Sequence, residues 1–284
     1  MSTAEDFLSG DAGDVTHPWR RAKRALGELA FEALDRAALV ARRADVLARS
    51  ARRQRVLAVS VYRPGSLLPS AVERLASERH DVRLAFGATA ATEPALAAHT
   101  VAEGLEGGKF ANLNRVLAAA GERDFDWLLV VDDDLLLPAR FLDRFVVLCE
   151  GFELDLAQPA QSQRSHSAWR VTRRRPASLV RETRFVEIGP LTAFGRRAAA
   201  ELLPFPELRF GWGLDLHWAA LAAERGWRLG VVDATPVRHE AATVGSSYPS
   251  ADARAEAARF LADRAYLPAA RAGDVVATHR RVAR

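Results

Sequence analysis

Three consecutive aspartates follow the most apolar segment of the chain. Residues 127–137 read W-L-L-V-V-D-D-D-L-L-L, so five large apolar residues lead directly into Asp132, Asp133 and Asp134. Carboxylates this close repel one another at neutral pH, and a divalent cation with a preference for oxygen ligands, Mg²⁺ or Mn²⁺, removes that repulsion. The segment therefore predicts a metal site. The alternative is a solvated turn whose aspartate caps a helix that begins near Pro138.

Two further segments carry side chains suited to a metal or a phosphate. Residues 108–114 read G-K-F-A-N-L-N, in which Lys109 could neutralise a phosphate and Asn112 could contact a ligand. His239 follows a late predicted strand and could supply a neutral nitrogen ligand, which suits Mn²⁺ better than Mg²⁺. The alternatives are a solvated lysine and an ordinary hydrogen-bonded histidine.

A fourth segment, residues 211–215, reads G-W-G-L-D at the predicted start of a helix. Asp215 could act as a general base, and Trp212 could stack on a sugar ring. Alternatively, Asp215 favours the helix N-terminus electrostatically and Trp212 belongs to the core.

The elements that must position these residues follow the order of an α/β fold. Strands are predicted at 56–62, 82–87, 127–132, 154–160, 185–188 and 227–232, and helices at 67–79, 94–105, 110–120, 139–149, 191–203, 214–225 and 251–265. Alternation of strand and helix predicts a mostly parallel central sheet flanked by helices. Open α/β sheets bind ligands beyond the carboxyl ends of their strands. Ser60 and Tyr62, at the end of the first strand, are therefore candidates for contact with a nucleotide.

The chain has 284 residues, 49% of them hydrophobic and 27% charged, which is typical of a globular protein. Its one cysteine, Cys149, cannot form an internal disulfide bond, and the N-terminus lacks a secretory signal pattern. No run of apolar residues is long enough to cross a bilayer. These features predict a cytoplasmic protein.

The net charge of +4 is unevenly distributed. Residues 17–55 contain eleven Lys or Arg against four acidic residues, and residues 164–184 contain seven Arg against one Glu. Such patches could contact phosphates of a nucleotide or of an anionic membrane surface, or could simply keep the protein soluble. Because the basic helix lacks interleaved aromatic residues, we do not expect nucleic-acid binding.

Residues 19–55 are predicted to be helical, and small apolar residues recur along them with heptad spacing from Leu26 to Ala51. This helix could dock on the body of the protein or form a dimer interface. Residues 161–184 are predicted to be a long loop, whose arginines at 173–175 could close over a diphosphate as a lid. The tail after Pro268 is predicted to be loose.

Taken in order, these segments resemble the GT-A glycosyltransferases, in particular glycosyltransferase family 2 and related glycosyltransferase-like domains. In that family a D-x-D motif ends a central strand and holds the metal that bridges the donor diphosphate, and Asp132 to Asp134 match it. The segment containing Lys109 and Asn112 is similar to the family's donor-facing lysine and A-x-N segment. G-W-G-L-D resembles in part the W-G-x-E-D segment that carries the general base, with Leu214 where a second acid often stands.

The resemblance implies a Rossmann-like GT-A fold and a metal-dependent, inverting glycosyltransferase that uses Mn²⁺ or Mg²⁺. Asp134, Asp132 and His239 would be the metal ligands, and Asp215 would be the catalytic base. Ser60, Tyr62, Lys109, Asn112, Asp132, Asp133 and Trp212 would contact the nucleotide-sugar donor. The acceptor would be a hydroxyl of a glycan, a lipid-linked molecule or a small molecule, and the protein could lie peripherally on an anionic membrane.

Two other functions remain open from the sequence. A sugar nucleotidyltransferase also uses a carboxylate-bound metal on a similar sheet, although no glycine-rich phosphate loop follows the first strand here. The other is a non-catalytic module that binds a nucleotide or an anionic surface. We predict three regions: a disordered start and basic helical extension at 1–55, a GT-A-like catalytic domain at 56–240, and a C-terminal helix with a basic tail at 241–284.

Overall fold

The structure of the chain is a computed structural model, and it describes residues 18–240 and 250–281. Residues 1–17, for which the sequence predicts disorder, lie outside the described part. No helix within it is long and apolar enough to span a bilayer.

Ten strands in the described residues form one mixed sheet. They are β1 (Arg55–Tyr62), β2 (Asp81–Ala88), β3 (Thr100–Ala102), β4 (Trp127–Val131), β5 (Leu135–Leu136), β6 (Leu156–Gln161), β7 (Val180–Thr183), β8 (Leu191–Gly195), β9 (Leu229–His239) and β10 (Val275–His279). The order across the sheet is β10-β7-β9-β6-β8-β4-β1-β2-β3, and β5 pairs with β9 off this path.

The core of the sheet is parallel, as predicted. Strands β3, β2, β1 and β4 are parallel neighbours, and so are β6 and β9. Strand β8 lies antiparallel between β4 and β6, and β7 and β10 extend the sheet in antiparallel fashion. This α/β arrangement confirms the predicted fold class.

Eight helices flank the sheet in the described part of the chain. They are α1 (Pro18–Ala37), α2 (Val40–Ser50), α3 (Leu68–Leu75), α4 (Lys109–Ala120), α5 (Phe141–Gly151), α6 (Arg196–Leu202), α7 (Leu214–Arg225) and α8 (Ser250–Leu261). Alternate residues of β4 enter two separate apolar cores: Leu128 and Val130 pack on one face, and Trp127 and Leu129 on the other. Burial on both faces explains why this strand reads as an unbroken apolar run.

The basic extension forms two helices instead of the single predicted one. Leu39, between α1 and α2, has a left-handed backbone conformation with φ of 54°. This turn rotates the two halves of the predicted seam apart. Val40 and Ala44 of α2 are buried in the body of the protein, whereas Leu26 of α1 is 68% exposed.

Three predictions of local structure are wrong. Residues 94–105, predicted as a helix, contain a 3₁₀ turn at Pro94–Leu96 and strand β3. Residues 191–203 begin as β8 before α6 starts, because a short apolar run fits a buried strand as well as a helix. The strand predicted at 185–188 lies earlier, as β7, inside the segment predicted to be a loop.

The C-terminal segment belongs to the main sheet. Strand β10 pairs with β7 through His279 and Val180, and Arg43 of α2 donates to the carbonyl oxygen of Arg280 at 2.7 Å. The tail is therefore ordered at the sheet edge as far as it is described, contrary to the prediction of a loose tail.

Candidate functional site

The three aspartates fan out where β4 ends, and each contacts a different side chain. Asp132 accepts a hydrogen bond from Lys109 Nζ at 2.5 Å. Asp133 is paired with Arg63 at 3.0 Å, and Asp134 Oδ1 lies 3.0 Å from His239 Nε2. The three carboxylates are adjacent in the sequence, but in the folded protein each contacts a different side chain.

Pairing between β5 and β9 brings Asp134 to His239. Leu135 of β5 is the antiparallel partner of His239, the last residue of β9. The amide of Glu240 also donates to the carbonyl oxygen of Asp134 at 3.1 Å. Two residues 105 positions apart in the chain are therefore held side by side by backbone hydrogen bonds.

Asp132, Asp134 and His239 form the group of metal-ligand type found among the described residues. One ligand atom from each lies within 4.8 Å of the others. Two ligands held by one ion at about 2.1 Å and at roughly 90° stand about 3 Å apart, which is the spacing of Asp134 and His239. Asp134 Oδ1 is buried and has no well-oriented hydrogen-bond partner within the described part of the chain. Two oxygens and one nitrogen suit Mn²⁺ and fit the group that the sequence predicts.

Asp134 and His239 each stabilise the charged form of the other. Burial opposes ionisation of Asp134, but the close contact with His239 and the charges of Arg63 and Lys109 hold its pKa below the usual value. Burial likewise opposes protonation of His239, yet the contact with Asp134 and the charge of Asp132 raise the pKa of the imidazole. A bound cation would replace the histidine proton as the counter-charge of Asp134.

Asp133 does not join the metal group. Its carboxylate accepts hydrogen bonds from the backbone amide of Arg63 at 2.9 Å and from the Arg63 guanidinium at 3.0 and 3.2 Å. Its carbonyl oxygen accepts from Leu67 at 2.8 Å. The residue that was predicted to contact the donor therefore fixes the turn after β1.

Asp215, the predicted catalytic base, is a further buried carboxylate. Asp215, near the start of α7, is 6% exposed and accepts hydrogen bonds from its own neighbour Leu216, at 2.9 Å, and from the backbone of Ile188. Burial outweighs these hydrogen bonds and raises the pKa of Asp215 to about 7. A carboxylate that titrates near neutrality can act as a general base.

Residues 187–190, here called the bridging segment, connect Asp215 to the metal ligands. The carbonyl oxygen of Pro190 accepts from the amide of Asp132 at 2.9 Å, and that of Ile188 lies 3.5 Å from Lys109 Nζ. A Cβ atom on Gly189 would come within 3.0 Å of Asp132 Oδ2. The bridging segment therefore contacts both Asp215 and the candidate metal ligand Asp132.

Sequence reasoning missed Glu187, the first residue of this segment. It is 9% exposed, its carboxylate accepts from Gln161 Nε2 at 2.9 Å, and its amide donates to Gln158 Oε1 at 2.5 Å. Burial and the charge of Asp215 raise the pKa of Glu187 to about 8. The signal available in the sequence was an acidic residue, Glu187, inside an apolar segment predicted to be a strand.

Three other residues were predicted to contact the donor, namely Lys109, Trp212 and Asn112. Lys109 lies in the site, and Trp212 is half-buried on the loop that leads to Asp215. Gly211 has φ of +78°, and a Cβ there would collide with Phe110 at 2.0 Å, so only glycine lets this loop pack on α4. Asn112 is buried within α4, where its Oδ1 accepts from Arg115 at 3.1 Å.

Ser60 and Tyr62 lie in the interior. Ser60 is 0% and Tyr62 1% exposed, and the Tyr62 hydroxyl is hydrogen-bonded to Thr100 Oγ1 at 2.9 Å. Because β1 is a central strand covered on both faces, neither side chain is displayed at the surface beyond the end of the strand. Their placement does not match the predicted contact with a nucleotide.

Of the three arginines predicted to form a lid, at 173–175, Arg174 is buried, Arg173 is half-buried and Arg175 is exposed. Arg174 is 6% exposed and is paired with Glu28 and Asp35 of α1. Arg181, from the same basic stretch, is fully buried against Asp233 at 2.8 Å. These ion pairs use two of the seven arginines of residues 164–184 inside the protein, and those of Arg174 anchor α1.

No protein-family model matches the sequence, and no curated protein gives a significant sequence match. Solved structures of similar fold include two glycosyltransferases that bind a nucleotide or nucleotide sugar. One is GalNAc-T7 with UDP, GalNAc and Mn²⁺, with a TM-score of 0.51 and 12% identity over 68% of this chain and 45% of that one. The other is TarS 1-349 of S. aureus in complex with UDP-GlcNAc, with a TM-score of 0.50 and 15% identity over 74% of this chain and 65% of that one.

These neighbours define the class of structure. Both are GT-A glycosyltransferases, so the chain has a GT-A, glycosyltransferase-like fold, as the resemblance implied. This chain spans less than two thirds of the length of either neighbour. The likeness at these identities concerns the fold, and the function must be argued from the site.

Proposed function

We propose that the protein is a metal-dependent, inverting glycosyltransferase that transfers a sugar from a nucleoside-diphosphate sugar to a hydroxyl acceptor. The observation that carries the proposal is the juxtaposition of two groups across the bridging segment. Asp132, Asp134 and His239 form one group, with ligand atoms within 4.8 Å of one another, and the buried Asp215 forms the other. The GT-A fold of the chain supports the same function.

Asp132, Asp134 and His239 would hold Mn²⁺ or Mg²⁺ in this proposal. An ion bound there supplies a Lewis acid for the charge that develops on the departing nucleoside diphosphate. Lys109, which contacts Asp132 at 2.5 Å, is close enough to add a second positive charge beside the same phosphates. Trp212 offers an aromatic surface for the sugar ring.

Asp215 accepts the proton of the acceptor hydroxyl as that oxygen attacks the anomeric carbon. The bond to the leaving phosphate breaks on the opposite face of the sugar, so the configuration inverts. Burial raises the pKa of Asp215 to about 7. This value makes the carboxylate a stronger base than a solvated aspartate while leaving it largely ionised at slightly alkaline pH.

The acceptor in this proposal is a hydroxyl of a glycan, a lipid-linked molecule or a small molecule. Peripheral contact with an anionic membrane agrees with the outer face of α1, which exposes Trp19, Leu26, Leu29 and Leu34 next to basic residues.

Removal of the metal ligand tests the proposal directly. The protein is incubated with radiolabelled nucleotide sugars and Mn²⁺, and release of the nucleoside diphosphate is measured. Asp134→Asn should lower turnover at least about 100-fold, because a neutral amide binds a divalent cation poorly. The control is Asp263→Asn, at a side chain that is 78% exposed and paired with its neighbour Arg264. Equal turnover by Asp134→Asn and the control would refute the metal assignment.

The pH dependence tests the assignment of the base. A base must be ionised to act, so turnover should fall as the pH drops through about 7, the pKa of Asp215. Asp215→Asn should lose roughly 10²- to 10⁴-fold in turnover while binding the nucleoside diphosphate as tightly as the wild type. Initial rates between pH 5.5 and 8.5 and calorimetric binding check the two statements. A flat pH profile, or full turnover in the variant, would exclude Asp215 as the base.

A further inference from the structure

The outer face of α1 is apolar. Most of the large hydrophobic side chains that are exposed in the described part of the chain lie in α1, in α2 or at the turn between them, namely Trp19, Leu26, Leu29, Leu34, Leu39 and Val46. Within α1, apolar residues spaced alternately three and four positions apart share one side of the helix and are all exposed, namely Trp19, Ala22, Leu26, Leu29 and Ala33.

The opposite side of α1 makes the contacts with the body of the protein. Glu28 is 9% exposed, and both Glu28 and Asp35 are paired with Arg174. Glu28 also accepts a hydrogen bond from the amide of Gln163 at 2.6 Å. A helix of a globular protein normally turns its apolar side inward. Because α1 turns its charged side inward, its apolar side is left for a partner.

The charge that α1 and α2 display at the surface is positive. Each of their acidic residues is paired with arginine: Glu28 and Asp35 with Arg174, Glu32 with Arg36, and Asp45 with Arg140 and Arg144. Lys23 lies on the outer face itself, between Trp19 and Leu26, and is exposed. Arg42 and Arg49 of α2 are exposed as well.

An apolar strip accompanied by basic residues matches the surface of an anionic bilayer. Apolar side chains enter the boundary between headgroups and acyl chains, while lysine and arginine extend to the lipid phosphates. A second copy of the chain fits this face less well, because the contact would bring two positively charged regions together.

The outer face adjoins a cavity at the candidate site. The cavity has a volume of about 450 Å³ and lies between α1 and the end of β9, with Ala22 and Ala25 in one wall and His239 in the other. Ala22 is also part of the outer face, and His239 is one of the three candidate metal ligands. A bilayer in contact with the outer face therefore borders the cavity that contains His239.

We propose that the acceptor is a hydroxyl compound carried by a lipid, and that the outer face of α1 holds the protein on an anionic bilayer with this cavity beside the lipid surface. The inference about the acceptor rests on the proposed function and narrows its three acceptor classes to one. The docking is independent of the reaction and is measured without a donor.

Fluorescent labels on single introduced cysteines test the orientation. The one cysteine of the chain, Cys149, is fully buried, so a cysteine at the surface is labelled selectively. Leu26→Cys marks the outer face, Arg164→Cys marks the cavity wall, and Arg123→Cys marks the opposite edge of the sheet, before β4. Vesicles of phosphatidylglycerol and phosphatidylcholine with a headgroup quencher should quench the first two labels and spare the third. Quenching of neither, or equal quenching of all three, would refute the proposed orientation.

Substitution of the outer face tests the docking. Leu26→Gln/Leu29→Gln should weaken co-sedimentation with the same vesicles at least about tenfold, because two leucines no longer enter the lipid. The matched control is Val276→Gln, at an apolar side chain of β10 that is 58% exposed, and it should bind like the wild type. Melting temperatures check that both variants fold.

Equal vesicle binding by the two variants would overturn the docking. So would a wild-type dimer, seen by ultracentrifugation without lipid, that Leu26→Gln/Leu29→Gln converts to a monomer, since the face would then belong to a second copy.

Transfer into lipid tests the acceptor. Membranes of the source organism are incubated with the protein, Mn²⁺ and radiolabelled nucleotide sugars, and the label that enters a chloroform and methanol extract is counted. The wild type should label the lipid extract, and Leu26→Gln/Leu29→Gln should label it about tenfold less. Label confined to water-soluble products would contradict the lipid acceptor. Absence of any nucleoside diphosphate release would instead contradict the proposed function, and the vesicle measurements would stand apart from that result.

Discussion

At the scale of single residues, the most informative pair is Glu187 and Asp215. Both carboxylates are buried, and the charge of Asp215 is among the causes that raise the pKa of Glu187. Two adjacent buried carboxylates do not readily ionise together, so one tends to retain its proton while the other acts as a base. The pKa values, raised to about 7 for Asp215 and to about 8 for Glu187, agree with the role of base proposed for Asp215.

The raised pKa of Glu187 has a consequence for stability. Between about pH 4.5, where the unfolded carboxyl loses its proton, and about pH 8, the folded protein holds a proton that the unfolded chain has released. The free energy of unfolding should therefore decrease as the pH rises through this window. Glu187→Gln removes this ionisation. Between pH 5 and pH 8, the free energy of unfolding of the variant should therefore decrease by about 2–4 kcal/mol less than that of the wild type.

Urea unfolding at pH 5 and pH 8 measures this difference. Glu122→Gln, at a partly exposed carboxylate on the far edge of the molecule, is the control and should follow the wild type. If Glu187→Gln lost as much stability as the wild type over the same range, burial of a protonated Glu187 would be ruled out.

At the scale of elements, α1 is attached to the body largely through charged groups. Its buried contacts include Glu28 and Asp35, which pair with Arg174, whereas its outer face carries exposed leucines. Helices usually bury their apolar face, so the orientation of α1 is set by the ion pairs to Arg174 together with the turn at Leu39.

Replacing Arg174 tests this attachment. Arg174→Met leaves two acidic side chains without their buried partner and should cost about 3 kcal/mol of stability. Amide hydrogen exchange should show loss of protection confined mainly to α1, because α2 is anchored separately by Val40 and Ala44.

Arg170→Met provides the comparison, since Arg170 is exposed in the same stretch of chain. Unchanged protection of residues 18–37 in Arg174→Met would show that other contacts hold the helix.

At the scale of the whole molecule, the site is assembled from segments far apart in the chain. Lys109 comes from α4, the aspartates follow β4, Asp215 lies in α7 and His239 ends β9. Binding of a ligand across these segments links them, so it should stabilise the entire fold. A nucleoside diphosphate and Mn²⁺ added together should raise the melting temperature more than the sum of their separate effects.

A thermal-shift series with UDP, GDP and ADP, each with and without Mn²⁺, measures this cooperation. At a ligand concentration 100 times Kd the stabilisation is about 2.7 kcal/mol, or a shift of several degrees. Asp134→Asn should abolish the cooperation and retain the unliganded melting temperature within a few degrees. Simple additivity for all three nucleotides would indicate that metal and nucleotide do not share the site.

The sequence by itself determined the α/β class, the buried strand β4 and the segments that supply the site. It could do so because burial on both faces leaves an unbroken apolar run, and because aspartates after such a run stand at the edge of the sheet. Lys109, Asp132, Asp134, Asp215 and His239, which make up the candidate site, were all predicted from the sequence to be site residues.

Tertiary structure alone decided how these residues are used. Asp133 pairs with Arg63, Ser60 and Tyr62 are enclosed in the core, and Arg174 anchors α1 instead of closing a lid. Glu187 joins the site because β8 inserts antiparallel between β4 and β6, which places residues 187–190 against Asp132 and Asp215. Such pairings depend on contacts between residues distant in the chain, and local periodicity and composition carry no record of them.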